Sequence, residues 1–439
     1  MRHHARAVPR LIARPLQEFL QTEAAGGVLL LLAAAAALVW ANAPFGASYG
    51  NFWGTHLRAG TQHLSIDLTL RGWVNDALMA LFFYVVGLEV KRETVHGELA
   101  DRRSAALPVA AALGGMLVPA TIYVAMNAGG AGGRGWGIPM ATDIAFAVGI
   151  VALAGPRVPA SLKVFLLALA IVDDIGAIVI IAAFYSDGIA LGWLAGAGVL
   201  FAVVVAMGRA GVRSVTLYLI AGVIAWLVVF ESGVHATIAG VALGLLTPIS
   251  SPTADDVPDA ARGLIEPHGH AEGGHQSDEL TAAALSEVEE LAPDGRPLLE
   301  RAEHVLHPWT SYAVIPVFAL ANAGIAIDGG SLRDAVQSPI AVGVAAGLVI
   351  GKPVGVLCGA WLATRVGLAA LPAGVRWRQL AAVALVAGIG FTVSLFISAL
   401  AFTEPRLVDE AKLGILGGSL LMGAAGFLAL RTTTRAGPA

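Results

Sequence analysis

The sequence predicts an all-α, polytopic membrane protein with twelve transmembrane helices, and three observations lead to this fold class. Hydrophobic residues make up 57% of the 439 residues and charged residues only 13%, with a mean hydropathy of +0.75. Twelve apolar stretches have about the length of a membrane crossing. Lys and Arg are concentrated in alternate loops, as expected of a chain that crosses the membrane repeatedly. This composition excludes a large soluble domain.

The predicted spans form two groups separated by a polar stretch. The chain divides into a tail (1–23), spans one to eight (24–249), a linker (250–308), spans nine to twelve (309–430) and a second tail (431–439). The spans lie at 24–41, 74–90, 105–127, 137–154, 161–185, 189–208, 214–230, 234–249, 309–327, 339–363, 379–402 and 413–430.

The distribution of Lys and Arg predicts that both termini are cytoplasmic. With the N-terminus inside, 20 of the 27 Lys and Arg residues fall in inner segments and 6 in outer loops, and Lys352 lies within a span. Ala41-Asn42-Ala43 mimics a signal-peptidase site, but the apolar stretch before it is longer than a signal peptide needs. We therefore expect this stretch to remain as the first span.

The loops carry fewer signals. Residues 250–300 are acidic and rich in Pro, Gly and His, so we expect a mostly disordered linker in which His268, His270 and His275 are solvated rather than bound to a metal. Residues 63–70 alternate apolar and polar side chains, which indicates either a strand of a hairpin or a plain loop. A single cysteine, Cys358, excludes an intrachain disulfide.

Asp173 and Asp174 lie side by side in an apolar run, 164–184, that has no other polar side chain. Each ionised carboxylate at the bilayer centre costs roughly 2.5–3.5 kcal/mol, and neighbouring charges repel each other. Adjacent helical positions point about 100° apart, so both carboxylates can flank one cavity. Buried carboxylates of this kind can exchange a proton for a cation. The alternative is a pair neutralised by buried bases, but Lys352 alone cannot neutralise both.

Two further segments indicate interrupted helices. Thr142 and Asp143 follow Pro139 inside the span 137–154, where Asp143 serves as an N-cap, an ion-site residue or both. Gly, Thr and Ser at 388–394 indicate either a second broken helix or a close helix contact. The two segments occupy corresponding places in the two halves of the chain. They therefore predict inverted-topology repeats, spans 3–5 and 10–12, with the broken helices crossing at the midplane.

Ionisable residues near the predicted membrane surfaces form a third group. Asp76 is predicted near the outer end of its span and Glu89 near the inner end, where Glu89 and Glu93 could form an acidic mouth that attracts cations. Lys91 and Arg92 are explained as positive-inside anchors. His235, His304 and His307 could titrate near neutral pH, although a single histidine is more often structural.

Together these motifs make the chain resemble an NhaA-type sodium/proton antiporter from about residue 15 to residue 430. Transporters of that family are known to combine inverted repeats with broken helices, so the repeat prediction is not independent of the resemblance. The motifs that carry the resemblance are 82–93, 141–146, 172–177, 232–237, 303–309, Gly351-Lys352-Pro353 and 388–392.

The resemblance implies an electrogenic antiporter that exports Na⁺ or Li⁺ in exchange for H⁺ by alternating access. Asp173 and Asp174 would bind the cation and the protons, and Lys352 would pair with Asp173 when the site is empty. Thr142 and Asp143 would support the site at the crossing of the broken helices. The residues that the resemblance links to pH response are Glu89, Glu93, His235, Arg301 and Glu303.

The resemblance also implies a homodimer in the bacterial inner membrane, formed partly through an outer hairpin, with no cofactor and no nucleic-acid partner. Two departures affect the pH response: the linker is longer than in the family, and Glu300 stands where the family has a basic residue. Two alternatives remain open from the residues. One is a sodium-coupled symporter of a small solute, and the other is an intramembrane aspartyl protease, which would need its carboxylates on separate helices.

Overall fold

The structure, a computed structural model, describes residues 10–60, 65–155, 157–186, 188, 190–249 and 297–433. Most of the predicted linker, including His268, His270 and His275, lies outside these residues. The helices are α1 (Arg10–Asn42), α2 (Ala47–Trp53), α3 (Leu70–Val95), α4 (Arg102–Asn127), α5 (Ile144–Ala154), α6 (Ala160–Phe184), α7 (Leu191–Arg209), α8 (Val215–Glu231), α9 (Thr237–Leu246), α10 (Leu298–Trp309), α11 (Ile315–Asn322), α12 (Gly329–Gln337), α13 (Pro339–Arg365), α14 (Trp377–Ala387), α15 (Phe391–Ala401) and α16 (Pro405–Thr433).

The helices confirm a mostly helical membrane protein. In the described part of the chain, seven helices are long and apolar enough to span a membrane, and two bent pairs raise this to nine. The predicted spans at 214–230 and 234–249 correspond to the shorter helices α8 and α9, and the span at 309–327 to α11 with the π-helical turn Thr310–Val314 that joins it to α10. The number of twelve spans and the inverted repeats therefore stay predictions. Helix α10 begins at Leu298, inside the stretch assigned to the linker.

The loop after α1 contains a β-hairpin rather than a plain loop. Strand β1 (His56–Gly60) pairs antiparallel with β2 (Ser65–Thr69), with His56 opposite Thr69 and Leu57 opposite Leu68. All five residues of β1 are exposed. On the β2 side, the Thr69 hydroxyl accepts a hydrogen bond from the Gly72 amide and so caps the start of α3.

Glycines allow the closest helix contacts. A Cβ added to Gly355 of α13 would lie 2.1 Å from the Gly114 carbonyl oxygen of α4. A Cβ on Gly240 of α9 would lie 2.1 Å from the Ala80 carbonyl oxygen of α3. Neither position can accept a side chain without moving a helix, so these small residues hold two helix pairs in contact.

The apolar interior has two main parts. The larger cluster includes residues of α1, α4, α6, α13, α16 and the two bent pairs, with Leu348, Phe318 and Phe396 fully buried or nearly so. A second cluster joins α3, α7, α8, α9 and α10 around Leu88 and Tyr218. The candidate site lies where the bent pairs meet α3, α6 and α13.

Both predicted broken helices are present. The 3₁₀ segment Ala131–Met140 and α5 form one pair, bent by 41°, and α14 and α15 form the other, bent by 43°. Their breaks touch, because the Asp143 amide donates to the Ile389 carbonyl oxygen at 2.7 Å. The Ser394 hydroxyl adds a second bond to the Ile138 carbonyl oxygen at 2.7 Å. The backbone interruptions face each other inside the protein, where their polar groups find partners.

Candidate ion-binding site

Asp143 caps the helices that leave both breaks. Its Oδ1 accepts from the Phe146 amide at 2.9 Å in the first turn of α5. Its Oδ2 accepts from the Thr392 amide at 2.9 Å and the Thr392 hydroxyl at 2.6 Å in the first turn of α15. A helix N-terminus carries a partial positive charge, so the single carboxylate of Asp143 offsets the charges of two helix N-termini. The sequence predicted an N-cap for α5, whereas the contact with α15 is visible only in the structure.

Lys352 provides positive charge on the other side of the crossing. Its Nζ donates to the carbonyl oxygen of Met140, the last residue of the 3₁₀ segment, and lies 2.7 Å from Asp173 Oδ2. Both side chains of the ion pair are completely buried. Lys352 therefore does not reach a membrane interface. A buried lysine with a carboxylate and a helix C-terminal carbonyl as partners can keep its charge away from water.

Thr142 completes the surroundings of Asp173. Its hydroxyl oxygen lies 2.7 Å from Asp173 Oδ2 and 2.9 Å from the Ala387 carbonyl oxygen at the end of α14. A hydroxyl has one proton, so it donates to one of these oxygens at a time. Asp173 Oδ1 is buried and has no hydrogen-bond partner among the described residues.

Asp174 has a different environment from its neighbour. It is buried, and within the described ranges no side chain or amide donates a hydrogen bond to it. It lines a narrow cavity of about 40 Å³ together with Asp143, Thr392, Glu89 and His307. Asp173 does not line this cavity. The step of about 100° between adjacent helical residues explains why one carboxylate faces Lys352 and the other faces open space.

Ionisable side chains gather where the cavity approaches the predicted cytoplasmic side. Arg92 forms an ion pair with Glu303, and its other terminal nitrogen lies 3.5 Å from Glu93 Oε1. His307 Nε2 lies 4.0 Å from Glu89 Oε1. The prediction that Arg92 is simply an anchor is incomplete, because a partner 211 positions away in the chain cannot be read from the local pattern.

The remaining predicted pH residues are not all in this cluster. Glu93 and Glu303 belong to it, and Arg301 lies on α10 close by in the chain. His235 lies at the opposite end of the protein, before α9, where its Nε2 is 2.5 Å from the carbonyl oxygen of Tyr185 at the end of α6. The structure therefore brings Glu89, Glu93 and Glu303 together and leaves His235 apart from them.

The arrangement can bind a small hard cation. Two carboxylates, a threonine hydroxyl and the carbonyl oxygens at the breaks are the oxygen donors that such ions prefer. Because Asp173 is held by an ammonium and Asp174 faces the cavity, a cation that reaches the site meets one available carboxylate first. These features define a class: a polytopic membrane protein with an ion site at crossed, broken helices, as in secondary transporters.

Comparison with known proteins specifies the class. The family model for Na⁺/H⁺ antiporter 1 matches residues 17–430, and the chain belongs to this NhaA family. "Na(+)/H(+) antiporter NhaA 2" of Sorangium cellulosum is 47% identical over 419 residues, which cover 95% of this chain and 89% of the relative. "Na(+)/H(+) antiporter NhaA" of Oleidesulfovibrio alaskensis is 44% identical over 445 residues, with 99% and 98% covered. The family comprises transporters and not enzymes, so the protease alternative is wrong.

Proposed function

We propose that this protein exchanges Na⁺ or Li⁺ for H⁺ by alternating access, with Asp173 and Asp174 binding the cation and with Asp174 and the Asp173–Lys352 pair exchanging the protons. The observation that carries the proposal is the contrast between the two carboxylates. Asp173 is held by Lys352, while Asp174 faces a cavity with no donor in the described chain to neutralise it. An ionised carboxylate at this depth needs a proton or a cation, and competition between the two is the basis of exchange.

Lys352 supplies the second proton. For a cation to take Asp173, the ammonium now 2.7 Å from Asp173 Oδ2 must release that oxygen. An unpaired buried ammonium is costly, so Lys352 loses a proton as the cation binds. Asp174 loses the other proton. Two protons then leave for each monovalent cation, and the cycle moves one net charge, which makes it respond to membrane voltage.

Alternating access requires the site to face one side at a time. The cavity joins Asp174 to Glu89 and His307, which lie toward the predicted cytoplasmic side. The crossed helices are joined to each other at Asp143 and Thr392. We propose that this joined unit moves against its neighbours and closes the cytoplasmic cavity while an outer one opens.

The test is ion exchange in proteoliposomes that carry an imposed pH gradient. Adding Na⁺ or Li⁺ to vesicles with the parent protein should collapse the gradient, and K⁺ should not. Asp174→Asn should abolish the response, whereas Asp334→Asn on the exposed face of α12 should leave it intact. Exchange by the Asp174→Asn variant at the parental rate would overturn the assignment. Na⁺-driven solute uptake without proton movement would favour the symporter.

Voltage separates an electrogenic cycle from an electroneutral one. With a K⁺ diffusion potential set by valinomycin, parental exchange should change with voltage, since moving one charge through 100 mV is worth about 2.3 kcal/mol. Lys352→Gln should weaken that dependence if Lys352 carries the second proton. Unchanged voltage dependence in this variant would exclude Lys352 as the proton carrier, while leaving the role of Asp174 to the gradient assay.

We further propose that the cluster at the cavity mouth adjusts activity to pH. Protonation of Glu303 would remove its attraction for Arg92, and protonation of His307 would strengthen its attraction for Glu89. Arg92→Gln should therefore shift the pH profile of exchange without abolishing it, whereas Arg333→Gln on α12 should not shift it. His235→Gln tests the remaining predicted residue separately. Identical profiles for Arg92→Gln and the parent would contradict a role for the mouth.

The membrane location and the orientation of the protein follow from the distribution of its cationic residues. We propose that the protein lies in the bacterial inner membrane with both termini cytoplasmic, because 20 of its 27 cationic residues then lie inside. The exposed strand β1 is a surface through which two copies could form a homodimer. Cysteine cross-linking between copies at the hairpin, with Cys358 replaced by serine, tests the dimer.

A further inference from the structure

A surface groove lies between α13 and α14, away from the ion site. It has about 780 Å³ of empty space and is lined by Leu357, Cys358, Trp361, Trp377, Arg378 and Ala381. Trp361 is 56% exposed and Trp377 39% exposed, although indole rings are among the largest apolar groups that a protein can bury. The groove is therefore large, open and mainly apolar, with a single guanidinium among its lining side chains.

Cations without partners surround this groove. The segment from residue 353 to residue 403 contains Arg365, Arg376 and Arg378 but no Asp or Glu. All three arginines are exposed, and in the described part of the chain none of them forms an ion pair. Arg157 and Lys163 lie close by in the fold, because the Ser161 hydroxyl donates to the Ala373 carbonyl oxygen at 3.2 Å. Arg378 in the groove and the cationic residues that flank its lining residues in the chain thus carry positive charge without ion-pair partners in the described residues.

The position of the groove in the membrane indicates which kind of molecule it binds. The end of α13 and the start of α14 lie on the predicted cytoplasmic side, where the inner leaflet presents its phosphates. Tryptophan prefers this interface, since its ring is apolar and its N–H needs a polar partner. A tryptophan that simply anchors a helix needs no concave space beside it, whereas a lipid with acyl chains and a phosphate needs both the apolar groove and the cations.

We propose that the groove between α13 and α14 is a binding site for an anionic phospholipid of the inner leaflet. The acyl chain lies along Leu357 and the indole of Trp361, and Arg378 with Arg376 contacts the phosphate. The site joins two helices that both serve ion binding: α13 carries Lys352, and α14 ends at the break that touches Asp143. A bound lipid would therefore hold together the two helices that frame the ion site.

The single cysteine of the chain makes occupancy measurable. Cys358 is exposed and lines the groove, so a lipid there should shield its thiol. The purified full-length protein is placed in nanodiscs of phosphatidylcholine, with or without phosphatidylglycerol, and alkylation by the uncharged reagent N-ethylmaleimide is followed by intact mass. Phosphatidylglycerol should slow alkylation about fivefold, the ratio that an attraction of about 1 kcal/mol for one cation gives.

Three comparisons decide the outcome. Arg378→Gln, at an exposed side chain, should remove the slowing by phosphatidylglycerol while keeping the parental alkylation rate in phosphatidylcholine. Arg209→Gln at the end of α7 should leave the slowing as it is in the parent. Moving the thiol about one helical turn along α13, to an exposed position that does not line the groove, with Cys358→Ser and Leu362→Cys, should also remove the slowing. Three results would each overturn the proposal. They are equal alkylation rates of the parent in both lipids, equal slowing of alkylation at the Leu362 position, and shielding of Cys358 by inorganic phosphate in phosphatidylcholine.

Discussion

Replacing Thr392 by valine isolates one bond between the two broken helices. The Thr392 hydroxyl donates to Asp143 Oδ2 at 2.6 Å in a buried place, and valine keeps the shape of the side chain without the donor. A hydrogen bond to a charged group contributes about 1.5–3 kcal/mol. The Thr392 amide still donates to the same oxygen at 2.9 Å, so the carboxylate keeps a partner. We expect the variant to lose about 1.5–3 kcal/mol of stability.

Thermal unfolding of the detergent-solubilised protein measures this loss. The entropy of unfolding grows with chain length, and for 439 residues a loss of this size corresponds to a decrease in Tm of about 2–3 °C. Thr121→Val is the matched control, because the Thr121 hydroxyl is exposed and donates at 2.7 Å within its own helix, to Leu117. Its Tm should stay close to the parental value.

A double-mutant cycle with Asp143→Ala shows whether the loss belongs to this contact. If the hydroxyl stabilises the protein through Asp143, Thr392→Val should cost almost nothing once the carboxylate is gone. A coupling energy of about 1.5–3 kcal/mol would then be measured. Two results would refute the reasoning: a Tm equal to that of Thr121→Val, or the same loss in the Asp143→Ala background as in the parent.

Two further predictions concern packing and pH. Gly355→Ala should prevent the close contact of α4 and α13 and lower the Tm, whereas Gly417→Ala, whose Cβ meets nothing within 4 Å, should not. Hydrogen bonds from the first turn of α12 hold the pKa of Asp328 below its usual range. Their contribution is present above the unfolded pKa and lost as pH falls through the folded pKa. The protection factors of the amides in this turn, which correct for the intrinsic exchange rate at each pH, should therefore fall in acid for the parent but not for Asp328→Asn.

The residues of the candidate site could be selected from the sequence because the membrane makes polar residues expensive. Asp173, Asp174, Asp143 and Lys352 each interrupt an apolar run, and such residues persist where they have a partner or a role. The broken helices could be predicted for a related reason. Pro139 and the glycines near 388 weaken a helix where no water could satisfy its freed backbone groups.

Long-range pairing could not be predicted in the same way. The local pattern of α3 explains Arg92 as an anchor, yet its ion-pair partner Glu303 belongs to α10. Likewise, Asp143 satisfies the local rule for an N-cap without indicating that α15 begins beside it. Helix α9 (Thr237–Leu246) is shorter than its predicted span, 234–249, because hydropathy reports apolar length and not where backbone hydrogen bonding ends.

The distribution of charge in the site explains why the two neighbouring aspartates are not equivalent. Asp143 is satisfied by two helix N-termini and Asp173 by Lys352 and Thr142, so each keeps its partners when no ion is present. Asp174 has no such donor in the described chain and faces the cavity. Under the proposed function, an ionised Asp174 is balanced by the ion that enters, and that requirement links cation binding to proton release. A change at Asp173 would then disturb an ion pair, whereas a change at Asp174 would remove the group that we propose meets the arriving ion first.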